Sequence, residues 1–229
     1  MKRSLIVISA VSFLVLAGAT QGAVRKGDVE LEIQGGWLME KAEQGEVTLT
    51  EVEPDSFWAN ADQVFAGATG ADLDSWCAMA SLGVFTSPNF QVAIAGFYTQ
   101  LEGDPETYTF EDYPGVSASY GVDMTMYGVG GRGRWHFNPG GKWVPFVGVQ
   151  GFWVSADIDV TVTSETLADG VVNNSPSGIL WGPLAGLRCQ LGANDALTLE
   201  YQYHMWAGDL DDVLQEGHGF FVGLAHRLK

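Results

Sequence analysis

Four histidines (His136, His204, His218, His226), two cysteines (Cys77, Cys189) and an acidic run (Asp209, Asp211, Asp212, Glu216) are the residues of this chain best suited to chemistry. The histidines fall on different extended segments or on opposite sides of them, and the cysteines share no close spacing, so no metal-ligand set is expected. The acidic run offers oxygens for Ca²⁺, but it lacks the spacing of a Ca²⁺-binding helix–loop–helix, and a solvated charge run is the expected reading. No serine pairs with a histidine as nucleophile and base. Catalytic, metal and cofactor sites are therefore not expected. The residues left to explain are charges scattered through apolar segments: Glu30, Glu32, Arg132, Arg134, Arg188, Glu200 and Arg227.

The segments that position these charges begin after an export signal. Lys2 and Arg3 precede an apolar run from Leu5 to Leu16, and Ala17-Gly18-Ala19 fits the small-x-small cleavage pattern. Residues 1–19 are expected to be a signal peptide, cleaved between 19 and 23, and residues 24–229 to form one domain. No Leu-x-x-Cys box lies near residue 20, so a lipid anchor is not expected. Beyond the signal no stretch reaches the roughly 18 apolar residues of a transmembrane helix. With 30 glycines, 8 tryptophans and only 17% charged residues, the composition departs from that of a small secreted protein. A net charge of −17 argues against a nucleic-acid partner.

Alternation of period two recurs along the chain. The stretch Trp135–Trp153, WHFNPGGKWVPFVGVQGFW, pivots two such runs about Asn138-Pro139-Gly140-Gly141-Lys142. Eight strands are predicted at about 28–40, 75–87, 91–103, 122–138, 143–162, 178–192, 196–209 and 217–228. Tight turns at Pro88-Asn89, 138–142 and 193–195 alternate with long polar connections at 41–74, 104–121, 163–177 and about 210–216. An even strand number, with short turns at one end and long loops at the other, predicts an all-β, eight-stranded antiparallel up-and-down transmembrane β-barrel. Each strand exceeds the roughly 9–11 residues that cross a bilayer at a tilt. Closure pairs every backbone group, and lipid then covers the apolar outside.

Parity divides the strands into two faces. Val29, Leu31, Ile33 and Trp37 oppose Glu30, Glu32 and Gln34. Tyr127, Val129, Trp135 and Phe137 oppose Arg132 and Arg134. Ile179, Trp181, Leu187 and Leu191 oppose Arg188 and Gln190. Leu197, Leu199, Tyr201, Tyr203 and Met205 oppose Thr198, Glu200, Gln202 and His204. Phe220, Val222, Leu224 and Leu228 oppose Gly219, Gly223 and Arg227. The apolar face is expected outside, with an aromatic girdle of Trp37, Trp76, Trp135, Trp143, Trp153 and Trp181. The seven charges are expected inside, in the turn-side half, paired into an ionic plug in a lumen just wide enough for side chains. Counting from the 193–195 turn sets Arg188 opposite Glu200 as the expected pair. Pro145 sits near a strand start, whereas Pro183 lies deeper, where a β-bulge is the one accommodation in view.

The signal, the strand spacing, the NPGGKWVPFVGVQGFW hairpin and the closing GHGFFVGLAHRLK together resemble the OmpA-type and opacity-type family of small outer-membrane β-barrels. The resemblance covers about residues 20–229. It implies residence in the Gram-negative outer membrane, assembly by the barrel-assembly machinery, and contact with lipopolysaccharide, here through divalent cations because the loops are acidic. A monomer is expected. Family members usually end in an aromatic residue, and this chain ends Leu228-Lys229, with Leu228 keeping the outward parity. Some small barrels of this kind deacylate lipid A with a His and a Ser two residues apart. Here His204 is followed by Trp206 at the serine position, so His204 is expected to be a polar group of the lumen. The favoured expectation is a structural, surface-exposed barrel with acidic loops, acting in adhesion or surface recognition. The alternatives are a small pore and, less favoured, a lipid-A-modifying enzyme. The loop 41–74 carries Glu43, Glu46, Glu51, Glu53, Asp55, Asp62, Asp72 and Asp74 beside Phe57, Trp58 and Phe65.

Overall fold

A computed structural model describes residues 24–41, 72–102, 106–109, 117–163, 170–211, 214 and 216–228. The expected signal peptide and the acidic loop through residue 71 lie outside the described residues. The strands are β1 Val29–Lys41, β2 Asp72–Ser87, β3 Phe90–Glu102, β4 Glu106–Thr109, β5 Ser117–His136, β6 Trp143–Thr163, β7 Gly170–Asn174, β8 Ser177–Gln190, β9 Asp195–Gly208 and β10 Gly217–Leu228. Eight of them close a ring in the order β1-β2-β3-β5-β6-β8-β9-β10, with β10 returning to β1 and every pair antiparallel. The predicted barrel is therefore present. Two additions fall within segments read as loops. β4 pairs only with β5, and β7 only with β6, prolonging two hairpins beyond the ring. Thr and Tyr in Glu106–Thr109, and valines in Gly170–Asn174, carry the β-propensity that extends these ladders.

The ladder fixes the barrel's stagger. Stepping across partners from His136 leads through Phe146, Gly186, Glu200, Phe221, Gly36, Cys77 and Thr99 back to Met126 on β5. One circuit thus returns ten residues further along the same strand. Eight strands with this shear tilt by about 40° and enclose a cylinder of roughly 8 Å radius to the backbone. Such a bore leaves room for side chains and no more.

The 138–142 turn answers how the long hairpin reverses. Asn138 takes a left-handed conformation (φ 52°), and its carbonyl accepts from the Gly141 N–H at 3.0 Å. Asn adopts this region more readily than most residues. Pro183 produces no bulge. The β8–β9 ladder omits Gly182 and Pro183, then resumes at Leu184↔Gln202 in the register it had at Trp181↔Met205. The proline thus forgoes ladder bonds on one side, and its β6 side stays paired through Val149. Gly130 allows the tight coiling of β5 on β6, since a Cβ there would lie 2.6 Å from the Cα of Phe152.

Burial follows parity around the ring. Val29, Leu31, Ile33, Trp37, Tyr127, Val129, Phe137, Ile179, Leu199, Phe220, Val222, Leu224 and Leu228 face out, while Glu30, Glu32, Gln34, Arg132, Arg134, Arg188, Glu200 and Arg227 face in. The six girdle tryptophans are all exposed on the outside. Trp135 and Trp143 flank the 138–142 turn, and Trp37 and Trp76 are ladder partners toward the loop side. Trp153 stands ten residues above Trp143 on β6, about 25 Å along the axis at the derived tilt, which matches the apolar band of a membrane barrel. Val149, 65% exposed, lies midway. Val149→Arg is expected to cost about 2–4 kcal/mol in refolding titrations into lipid vesicles. An arginine at His226, on the turn-side rim, should cost about 1 kcal/mol or less. Equal costs at the two positions would contradict the assigned lipid face.

Candidate functional site in the barrel lumen

The lumen is filled in three layers. At the turn end, Phe85, His136 and Phe146 pack as tilted rings with centroids 5.4 and 5.5 Å apart, and the Arg134 guanidinium lies 5.0 Å over Phe146. Val24 is buried beside this end, where the Gly27 N–H donates to the Phe85 carbonyl at 2.7 Å.

Above these rings lies an ionic layer. Arg188 Nη1 donates to Glu30 Oε1 at 2.6 Å and its Nη2 to Glu30 Oε2, a two-pronged pair, while Gln91 donates to the same Oε1 at 3.1 Å. Arg134 bridges Glu32 and Glu200. Arg132 pairs with Glu200 and donates to Gln34 Oε1 at 2.9 Å. Thr198 donates to Glu32 Oε1 at 2.6 Å, and Gln202 to Glu200 Oε1 at 2.6 Å. Three guanidinium groups thus meet three carboxylates, all buried. Arg227 stands near the same end, its Nε 3.5 Å from Asp28 Oδ2. These contacts make two groups, Arg188 with Glu30, and Arg132 and Arg134 with Glu32 and Glu200.

The pairing differs from the expected one in a single respect. Arg188 binds Glu30, and Glu200 is held by Arg132 and Arg134. The ladder sets Arg188 opposite Thr198 and Glu200 opposite Gly186, so the two are not cross-strand partners. With a shear of ten, β1 comes round at the height where Glu30 faces Arg188 across the bore. Counting along one hairpin cannot show an alignment that arises only on closure.

The loop-side half of the interior is apolar, and parity reasoning on five strands missed it. Leu38, Met79, Phe97, Met126, Phe152, Val154, Ala156 and Leu180 form one cluster there. Phe97 and Phe152 meet edge to face at 5.3 Å. The signal was present: Leu38 shares the even parity of Glu32, and β2 and β6 are apolar on both faces.

Leu210 and Leu214, from the β9–β10 connection, are fully buried and close the top of this cluster. Gly208 (φ +84°) turns the chain inward, and Gly178 leaves space for Leu210, whose Cβ would lie 3.0 Å from an added Cβ. The Leu214 N–H donates to the Leu210 C=O at 2.8 Å, tying the two buried leucines together.

Polar groups also sit within the apolar half: the Ser75 and Thr99 hydroxyls, 2.9 Å apart, and a group at Glu40, missed although its parity was right. His204 Nδ1 is 2.6 Å from Glu40 Oε1, and Trp206 Nε1 donates to Glu40 Oε2 at 3.2 Å. Both His204 and Glu40 are buried. The other histidines are apart from it: His136 among the turn-end rings, His218 and His226 outside, bonded to Tyr201 and Asp195. Cys77 is buried and Cys189 partly so, both as free thiols. Among the described residues no group of His, Cys, Asp and Glu is arranged to hold a metal ion.

Fold and lumen together define a small eight-stranded transmembrane β-barrel with a packed interior. No protein-family model matches the chain, and no curated protein matches it. Among solved structures the chain is similar to Neisserial surface protein A, at 16% identity over 86% of this chain and 97% of that one, with a TM-score of 0.48. It is similar to Ail, the attachment invasion locus protein of Yersinia pestis, at 13% identity over 89% and 100%, TM-score 0.43. A third is the N-terminal β-barrel domain of Pseudomonas aeruginosa OprF, at 13% identity over 87% and 98%, TM-score 0.37. At these identities the likeness is one of fold.

Arg188→Met should take from Glu30 its two-pronged partner, leaving Gln91 and the ladder neighbour Arg227, and destabilise the barrel by about 3–5 kcal/mol. Adding Glu30→Gln should recover much of that loss. Double-mutant cycles from urea titrations in detergent are expected to give strong coupling for Arg188 with Glu30 and little for Arg188 with Glu200. The reverse ranking would refute the pairing.

Proposed function

We propose that this protein is an outer-membrane barrel that serves as a sealed scaffold, anchoring acidic loops at the cell surface. The observation that carries the reading is the filled bore: aromatic rings, an ionic layer, an apolar layer and two loop leucines succeed one another from end to end. A conducting pore needs a continuous wet path, and each of these layers interrupts it. The buried Glu40–His204 pair likewise gives no support to a hydrolase, because a nucleophile and substrate would have to enter the sealed half.

Charge distribution supports the orientation. Arg25, Lys26 and Lys142 belong to the turn-side end, whereas Lys41 is the one basic residue in the sequence of the connecting segments 41–74, 104–121, 163–177 and 209–216. Asp123, Asp157 and Asp159 are exposed on the loop-side flank of β5 and β6. This end faces the cell exterior in our reading, after assembly by the barrel-assembly machinery. Anionic lipopolysaccharide repels such a surface unless divalent cations bridge the two. The loops then act in adhesion or recognition.

Reconstituted into planar bilayers, the folded protein is expected to show background conductance. Discrete steps in the unaltered protein would favour the pore. A variant lacking residues 45–68 should keep its heat-modifiable migration but lose cell-surface binding. Co-migration with lipopolysaccharide should weaken on chelation of Mg²⁺ and Ca²⁺, and indifference to chelation would remove the cation bridge.

A further inference from the structure

His204 has an oxygen at each ring nitrogen. Nδ1 faces Glu40 Oε1 at 2.6 Å, and Nε2 faces Gln202 Oε1 at 3.1 Å. The Gln202 amide cannot be turned over to present its nitrogen to the ring. That nitrogen donates to Glu200 Oε1 at 2.6 Å, a carboxylate that only accepts, and Oε1 already receives Gln150 Nε2 at 2.7 Å. Glu40 Oε2 accepts from Trp206, and its Oε1 shares one proton with His204 Nδ1. Beside an ionised Glu40 the ring lies between two acceptors and donates to both, which only the imidazolium does.

We infer that Glu40 and His204 form a buried carboxylate–imidazolium latch, a proton-holding site that keeps the 209–216 loop seated in the barrel mouth. The location supplies the connection to the loop. Gly217, the first residue of β10 and the far root of the loop, is the ladder partner of His204 and packs directly on the Glu40 carboxylate. His204 itself lies four residues before Gly208, the near root. The latch therefore joins β1 and β9 beneath both ends of the connection that carries Leu210 and Leu214.

Few other charges reach the pair. On β2 the Cys77 thiol lies close enough to feel Glu40. On β9 Glu200 is one amide away and already held by Arg132 and Arg134. β10 presents Gly217 and Gly219, β8 presents Gly182, and β6 the neutral Gln150. Asp209, Asp211 and Glu216 face water, Glu216 accepting from Tyr203 outside the ring. With the ring's proton removed, Glu40 is an uncompensated charge in an apolar chamber, and lifting the loop to admit water is the available relief.

Two measurements test this. In the native protein, ¹⁵N-histidine spectra in detergent at neutral pH, with the His204 signals identified by their loss in His204→Gln, should show both ring nitrogens of His204 protonated. A bare, pyridine-type nitrogen on His204 would overturn the inference. In a Cys77→Ala, Cys189→Ala background, Leu214→Cys should react slowly with a membrane-impermeant maleimide. His204→Gln should speed labelling roughly tenfold or more by leaving Glu40 charged and unmatched. Glu40→Gln with His204→Gln removes that charge and should bring the rate back near its starting value. Labelling as fast in the double variant as in the single one would mean that packing, and no latch, holds the loop. The latch presupposes the sealed mouth, which the conductance measurement tests separately.

Discussion

A charge inside a narrow cylinder surrounded by lipid has little bulk water to solvate it, and the arrangement of this barrel follows from that constraint. Leaving any of Glu30, Glu32, Glu200, Arg132, Arg134 or Arg188 unmatched would cost several kcal/mol. The structure meets the condition by equal numbers of acids and guanidinium groups, and then by neutral groups chosen to fill what the ions leave over. Gln91 joins Glu30, Thr198 joins Glu32, Gln34 receives Arg132 and Gln202 reaches Glu200. Arginine suits this task because its planar fork can serve two partners, as Arg134 does with Glu32 and Glu200.

The same constraint specifies register. The outer face is apolar between its two tryptophan levels, and lipid accepts a Leu or Val equally well wherever it falls there. A slip of two residues between neighbouring strands would keep every side chain on its proper face and would not be penalised from outside. Inside, the slip would separate Arg188 from Glu30 and drive a side chain into the space left by Gly130 or Gly178. The ionic layer and the close backbone contacts therefore select the shear of ten among alternatives that parity alone leaves open.

This explains which features were legible in the sequence. Parity and turn chemistry act between neighbours, so strand number, turn positions, the lipid face of Trp37 or Val129 and the inward placing of the arginines could be read directly. Partner identity depends on closure, a property of the whole ring, and so Arg188 was assigned to the strand beside it rather than to β1. The apolar upper lumen escaped because β2 and β6 are apolar on both faces, where alternation gives no contrast. Leu210 and Leu214 escaped for another reason: in a segment rich in Asp and Glu, isolated leucines carry no period, and Gly208 signals a turn without signalling its direction. Pro183 looked like a bulge because a proline inside a closed sheet must lose a bond, but the ladder tolerates the loss without changing register.

The division of the lumen into an ionic half and an apolar half has a thermodynamic logic. Packing against hydrocarbon tails yields no hydrophobic gain, since lipid is as apolar as the side chains it covers. The bore is different, because an unfilled one would hold water. Apolar groups that fill it, Phe152, Met126 and the two loop leucines among them, recover the ordinary burial energy, about 1.5–3 kcal/mol for each fully buried leucine. Excluding water above also lowers the effective dielectric around the ions below, which strengthens correctly paired charges and penalises mismatched ones. The apolar layer thus makes the ionic layer selective, and the ionic layer holds the strands in the register that lets the apolar layer pack. Glu40 and His204 sit beneath the loop and are bonded through Gln202 to the ions, so the two halves meet at this pair.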